Sequence, residues 1–235
     1  MLTVDLERLG LKPGEWLLDA GCGGGRHCVG ALELGASCVG LDLDLSELRR
    51  ARDAIEARGA VAGSASVSQA DVFRLPFKDG QFDRVICAEV MEHVHDYEAA
   101  LGELVRVLRP GGSMGVTIPT ASSEWFYFGL SREYFESPGG HIRIFEPKQL
   151  AHAMSRRGLA VRGVGFAHAL HTPYWMLRSA LGLNRDDLKP VRAYKTFLMR
   201  ASLSARWKRI EGWLNWVCPK SLVLYAQRMA SGLPP

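Results

Sequence analysis

The chain lacks most of the features that assign a protein to a special class. No stretch of about eighteen apolar residues occurs in its 235 positions, so no membrane-spanning helix is expected. The first residues lack the charged-then-apolar pattern of a secretory leader, and the expected compartment is the cytoplasm. Cysteine is sparse: Cys22, Cys28, Cys38, Cys87 and Cys218 are odd in number and match no zinc or redox spacing. They read as free thiols, and no metal is expected. There is no internal repeat and no low-complexity tract.

What remains is an ordinary globular composition, 47% apolar and 23% charged, consistent with one domain over 1–235. The net charge of +4 is unevenly placed. From Arg178 to Lys220 ten Lys and Arg stand against three acids, so the rest of the chain is net acidic.

Strand and helix signals alternate through the first half. Apolar runs at Trp16–Ala20, Ser37–Leu41, near Val67, Phe82–Ala88 and Ser113–Ile118 read as strands. Helical patterns fall between them, one with Ser46 as its expected N-cap and another with Asp96. This alternation implies a parallel sheet with helices on both faces. Residues 119–146 break the rhythm and read as an irregular aromatic loop. Pro147 opens another helix, Leu159–Phe166 a sixth strand, and Ser221–Gln227 a last one. The 167–220 segment between these two strands reads as a basic helical insert.

The strongest motif is LLDAGCGGG, Leu17–Gly25, which sets Asp19 at a strand end and Gly21, Gly23 and Gly25 in the turn that follows. Open α/β sheets bind ligands at the carboxyl ends of their strands. A nicotinamide-binding turn wants Gly or Ala at position 26, where this chain has Arg26. A cofactor without phosphates fits better. Asp42 ends the second strand about twenty residues on, where a carboxylate accepts from a ribose diol, with Asp44 as a competitor. Asp71 ends the third strand, with Val72 beside it to pack on a ring.

The segments LLDAGCGGG, VGLDLD, QADVFRLPFKDGQFDRV, EVMEHV and LVRVLRPGG resemble the class I S-adenosylmethionine-dependent methyltransferases. The group holding the quinone-biosynthesis and many natural-product enzymes is the nearest in pattern, and the likeness covers residues 14–166. It implies a Rossmann-like seven-stranded sheet, parallel but for one strand, and S-adenosyl-L-methionine as cofactor, with S-adenosyl-L-homocysteine as product. It implies that Asp19, Gly21, Gly23 and Gly25 face the methionine part, Asp42 holds the ribose, Asp71 and Val72 hold adenine, and Glu89 lines the pocket. The chain departs from the family in two places. About a dozen residues precede the first strand where many relatives carry capping helices, and about fifty are inserted before the last. The aromatic loop and the insert are expected to form a lid.

A sulfonium methyl is already activated, so the enzyme must align an acceptor, exclude water and, for oxygen or nitrogen acceptors, remove a proton. His93 and His141 are the candidate bases. Trp125, Tyr127, Tyr134, His168 and His171 are candidates for the acceptor pocket. A metal shared by His168 and His171 is not expected, since no carboxylate lies near them in sequence. These residues imply methyl transfer to a small molecule, with oxygen ahead of carbon or nitrogen. The alternatives are a cofactor-binding protein without methyl transfer, or a methyltransferase acting on a lipid or quinone at a membrane surface. The second alternative draws on Ser204–Val217, where Trp207, Ile210, Trp213, Leu214 and Val217 share one helical face beside basic residues. Nucleic acid is not an expected partner, because the Pro-Pro-aromatic tetrapeptide of amino-methyltransferases and any RNA-binding module are missing.

Overall fold

The computed structural model describes residues 2–59, 63–130, 140–182 and 185–230. In chain order they form α1 (Leu6–Leu9), β1 (Trp16–Ala20), α2 (Arg26–Glu33), β2 (Ser37–Asp42), α3 (Leu45–Glu56), β3 (Ala65–Gln69), β4 (Phe82–Ala88) and α4 (Tyr97–Val107). Then come β5 (Leu108–Pro119), α5 (Ala121–Leu130), α6 (Pro147–Ser155), β6 (Leu159–Ala167), α7 (His171–Leu181), α8 (Lys189–Leu203), α9 (Ala205–Leu214) and β7 (Ser221–Arg228).

The strands form one sheet in the order β3-β2-β1-β4-β5-β7-β6. β7 runs antiparallel to both β5 and β6, and the other pairings are parallel. The seven-stranded sheet with one reversed strand is therefore as expected. Strand order reverses between β1 and β4, which opens a crevice at their carboxyl ends. Both faces of the sheet are covered, and the side-chain period of two decides which residue goes where. Leu18, Val39 and Val85 join the core under α4 and α6, while Leu17, Cys38 and Ile86 join the one under α1, α2 and α3. The insert has a small core of its own, built on Leu170, Tyr174, Val191, Leu198 and Ala201.

Four local readings change. Asp44, not Ser46, caps α3, because its Oδ1 accepts from both Ser46 N and Glu47 N. β5 begins at Leu108, not Ser113, with Pro110-Gly111-Gly112 in a bulge inside it: Leu108 faces Phe82 and Ser113 faces Arg84, so 109–112 loop out between them. The first third of the aromatic loop is a helix, α5. Its aromatic residues carry no 3.6-residue pattern, since Trp125, Phe126 and Phe128 are exposed and Tyr127 is buried. Finally, α9 stops at Leu214, before the expected apolar face is complete. Trp213, Trp216 and Val217 lie exposed, and the one buried residue of α9 is Glu211.

Candidate active site

The carboxyl ends of β1, β2 and β4 and the turn after β3 enclose a cleft of about 770 Å³, the size of a small-molecule site. Gly21, Gly23, Asp42, Asp71, Val72, Glu89 and His93 line it. Asp19 and Gly25 do not. Gly21 has φ +77°, and a Cβ there would lie 2.2 Å from Val90 Cγ2, so the turn admits no side chain. Gly25 serves a helix contact: its Cβ would lie 2.9 Å from that of Ala51 in α3. Asp19 is fully buried beneath the turn, with Oδ2 3.5 Å from His27 Nδ1. Its Oδ1 has no hydrogen-bond partner among the described residues.

Asp42 ties the glycine turn to β2. Its Oδ2 accepts from Gly23 N at 2.8 Å, and its Oδ1 accepts from Asp44 N at 2.9 Å. Each carboxylate oxygen keeps a lone pair for a further donor. Asp44 is committed to capping α3 and does not line the cleft. Asp71 Oδ1 accepts from Phe73 N at 3.0 Å, which fixes the turn that carries Val72.

Glu89 sits just past β4 with φ +57°, a conformation uncommon for a residue with a side chain. Thr117 Oγ1 accepts from Glu89 N and donates to Oε1, both at 3.0 Å. Lys220 Nζ donates to Oε2 at 2.7 Å. Burial opposes ionisation here, but the Lys220 ammonium and these hydrogen bonds hold the Glu89 carboxyl below its ordinary value. Glu92, one turn on, has both carboxylate oxygens buried and unpartnered among the described residues. Burial, with Glu89 beside it, pushes Glu92 well above the usual carboxylate range.

His93 and His141 come together across the cleft mouth, ring centroids 4.8 Å apart and nearly perpendicular. His93 Nδ1 lies 3.2 Å from Gly140 O, and His141 Nδ1 lies 2.6 Å from Glu124 Oε2. Each ring thus directs one N–H at an acceptor and leaves Nε2 as the basic nitrogen. Desolvation by the surrounding protein, reinforced by the His141 ring, lowers the His93 pKa from its ordinary value, so His93 is neutral near pH 7.

The acceptor-pocket residues do not gather here. Trp125 is exposed and stacks edge-on with Phe128. Tyr127 is fully buried and packs on Trp175 and Met176 of α7, which joins the two helices. His168 and His171 lie outside this cleft, near α9, and Tyr134 falls outside the described residues. Sequence reasoning missed Lys220, Glu92 and Glu124. Lys220 carried a signal: a reversed β7 must begin at the edge where β4 and β5 end, beside Glu89.

Residues 18–116 match the family model described as a methyltransferase domain. Residues 18–116 are thus similar to a methyltransferase domain. Among curated relatives, the methyltransferase GfsG of Streptomyces halstedii is 36% identical over 47% of this chain and 40% of its own. The norajmaline N-methyltransferase of Rauvolfia serpentina is 40% identical over 40% of this chain and 32% of its own. The tocopherol O-methyltransferase of Arabidopsis thaliana is 41% identical over 41% and 28%. The chain thus spans two fifths or less of the length of these relatives. Among solved structures, a methyltransferase from Bacillus halodurans superposes with TM-score 0.66 at 20% identity, over 96% of this chain and 99% of that one. The 4+2 cyclase SpnF superposes at 0.65 and 19% identity, over 96% and 78%. At this identity the structures establish the fold alone.

The cofactor implied for a class I methyltransferase domain is S-adenosylmethionine, a sulfonium cation with a ribose diol and no phosphate. The cleft fits that chemistry. The N–H groups of Gly21, Cys22, Gly23 and Gly25 are taken up inside the protein, so these four are not free to cradle a phosphate. Three carboxylates, Asp42, Asp71 and Glu89, line the cleft instead.

Proposed function

We propose that the chain transfers a methyl group from S-adenosylmethionine to a small-molecule acceptor, with oxygen ahead of carbon or nitrogen as the accepting atom. The cleft lined by Gly21, Asp42, Asp71 and Glu89 with His93 at its mouth is the observation that carries this reading. Asp42 holds the ribose hydroxyls, Asp71 and Val72 the adenine, and Glu89 braces the end of β4 beside the amino-acid part. S-adenosylmethionine supplies an already activated methyl group. The protein therefore needs to position the acceptor, exclude water and take its proton. His93 Nε2 takes that proton, and His141, held by Glu124, stands next to it and steadies the ring. An oxygen acceptor fits a neutral imidazole better than carbon does, because hydroxyl deprotonation is the step a base near neutral pH assists.

The relatives' names cover nitrogen, oxygen and, in sterol 24-C-methyltransferase, carbon as acceptor. The family domain is thus compatible with all three, and the acceptor atom depends on residues outside it. Calorimetric titration with S-adenosylmethionine and S-adenosylhomocysteine is the test. Micromolar binding is expected, weakened about 100-fold in Asp42→Ala, as for loss of a charged hydrogen-bonding group worth about 1.5–3 kcal/mol. No binding of either ligand overturns the reading. Binding with no S-adenosylhomocysteine release across phenols, quinones and amines would instead favour a sensor or partner subunit.

One observation favours a lipid-surface form of the reaction. Leu203, Trp213, Trp216 and Val217 are exposed on the insert, on and after α8 and α9, among Arg206, Lys208 and Arg209. Tryptophan beside cationic residues suits a membrane interface. Co-sedimentation with anionic vesicles at low salt, abolished in a Trp213→Ala, Trp216→Ala double variant, is the expected result. Equal pelleting of both proteins, or of neither, rejects it.

A further inference from the structure

A second cluster of ligand-type side chains lies away from the cleft, where the insert meets the sheet. β6 ends at Ala167, and His168 follows with φ +65°, one of two non-glycine residues among the described residues held in that region. A turn closed by His171 N donating to His168 O at 2.9 Å brings the two imidazoles together, ring centroids 4.9 Å apart. Glu211 arrives from α9, forty residues later in the chain, as the buried residue of that helix. Asn215, one turn further, accepts from Ala169 N through Oδ1 at 2.8 Å and pins α9 to the His168–His171 turn. The carboxylate whose absence argued against a metal is supplied by the fold.

His168 Nδ1, His171 Nδ1 and Glu211 Oε1 are all buried with no hydrogen-bond partner among the described residues. His168 and Glu211 are more than nine-tenths buried. One ligand atom from each residue lies within 4.8 Å of the other two, and His171 Nδ1 is 3.9 Å from Glu211 Oε1. Unpartnered buried polar atoms are few in folded proteins, and three converging on one point call for a common partner. His168 Nε2 lies 2.9 Å from Thr3 Oγ1. With Nε2–H donating to that hydroxyl, Nδ1 carries the lone pair, the orienting contact that metal-ligating histidines make.

We propose that His168, His171 and Glu211 bind one divalent transition-metal ion, zinc by ligand type, which clamps α9 of the insert to the end of β6. Two imidazoles and one carboxylate are a zinc set, whereas magnesium and calcium take oxygen ligands. Three protein ligands leave a fourth position, open toward a cavity of about 360 Å³ lined by His168, His171, Arg26 and Lys195. Water fills that position. Arg26 and Lys195 weaken cation binding without supplying a competing ligand, so micromolar rather than tighter affinity is expected.

The test is equilibrium dialysis of chelator-treated protein against micromolar zinc, with bound metal read by atomic absorption and the melting temperature read alongside. Wild type is expected to hold one zinc that His171→Ala and Glu211→Gln lack, and to melt several degrees higher with zinc but not with magnesium. His171 is partly exposed, so its variant removes a ligand without opening the core. Glu92→Gln controls for the only other ligand-type cluster among the described residues, Glu92, His93 and His141, and should keep the bound zinc. No zinc in wild type, or zinc retained in His171→Ala and lost in Glu92→Gln, overturns the proposal. None of these readouts depends on methyl transfer.

Discussion

The chemistry proposed for the cleft depends on the protonation of one imidazole. His93 is exposed at the cleft mouth, its Nδ1 faces a backbone carbonyl, and desolvation by the surrounding protein together with the His141 ring disfavours its charged form. Its folded pKa therefore lies below the ordinary 6.5, and the neutral base is fully available above that value. Activity should fall only as pH drops below 6.5, along an acid limb set by His93. His93→Gln should reduce turnover by about 10²–10⁴-fold, the usual worth of a general base, and abolish that limb while cofactor affinity stays unchanged. A pH–rate profile of the variant that keeps wild-type shape and rate would refute the role. The pairing of His93 with His141 was legible as two candidates in the sequence. Glu124, which orients His141, was not, because it lay in a stretch whose aromatic residues masked a helix.

At the scale of elements, close approach explains more of the glycine turn than ligand contact does. Gly25 has φ +77°, and a Cβ there would lie 2.9 Å from Ala51 Cβ and 3.0 Å from Ala51 Cα. Gly25→Ala combines a left-handed strain of about 1–2 kcal/mol with overpacking of about 1–3 kcal/mol. A loss of about 2–5 kcal/mol in urea unfolding is expected, with the midpoint lowered and the slope unchanged. Near-wild-type stability would mean that α2 and α3 move apart easily. The elements themselves were legible wherever one physical signal dominated. β1 and β4 were bounded correctly because buried parallel strands are continuous apolar runs between polar turns. The cap of α3 was misplaced by two residues because Asp44 and Ser46 are both good caps and only the backbone geometry chooses between them. α9 was overextended because its face was judged apolar at Trp213 and Val217, which are exposed, while the residue it buries is the charged Glu211.

Across the whole molecule, the site depends on pieces that sequence separation hides. The acids at the strand ends were legible in different ways: Asp42 closes the apolar run of β2, Asp71 lies two residues past β3 and not at its end, and Glu89, just past β4, came through the family resemblance. Their long-range partners needed the topology: β7 returns antiparallel after the insert and delivers Lys220 to Glu89, 131 positions away in sequence. Glu89 is held below its ordinary 4.5, with burial opposing and Lys220 and Thr117 prevailing. The pair therefore stabilises the fold fully above pH 4.5, and the contribution is lost as pH falls through the depressed folded value. Lys220→Met leaves a mostly buried carboxylate without its cation. A loss of about 2–3 kcal/mol at pH 7 is expected, less than for a fully buried pair because both side chains keep some solvent contact. The folded pKa of Glu89 then rises, so the variant should be less destabilised at pH 5 than at pH 8, where the unpaired charge is fully formed. Adding Glu89→Gln removes that charge and should recover most of the lost stability, with the pH dependence gone. Two single losses that simply add in the double variant would mean that Lys220 and Glu89 act independently, and that the insert does not deliver a partner to the cleft.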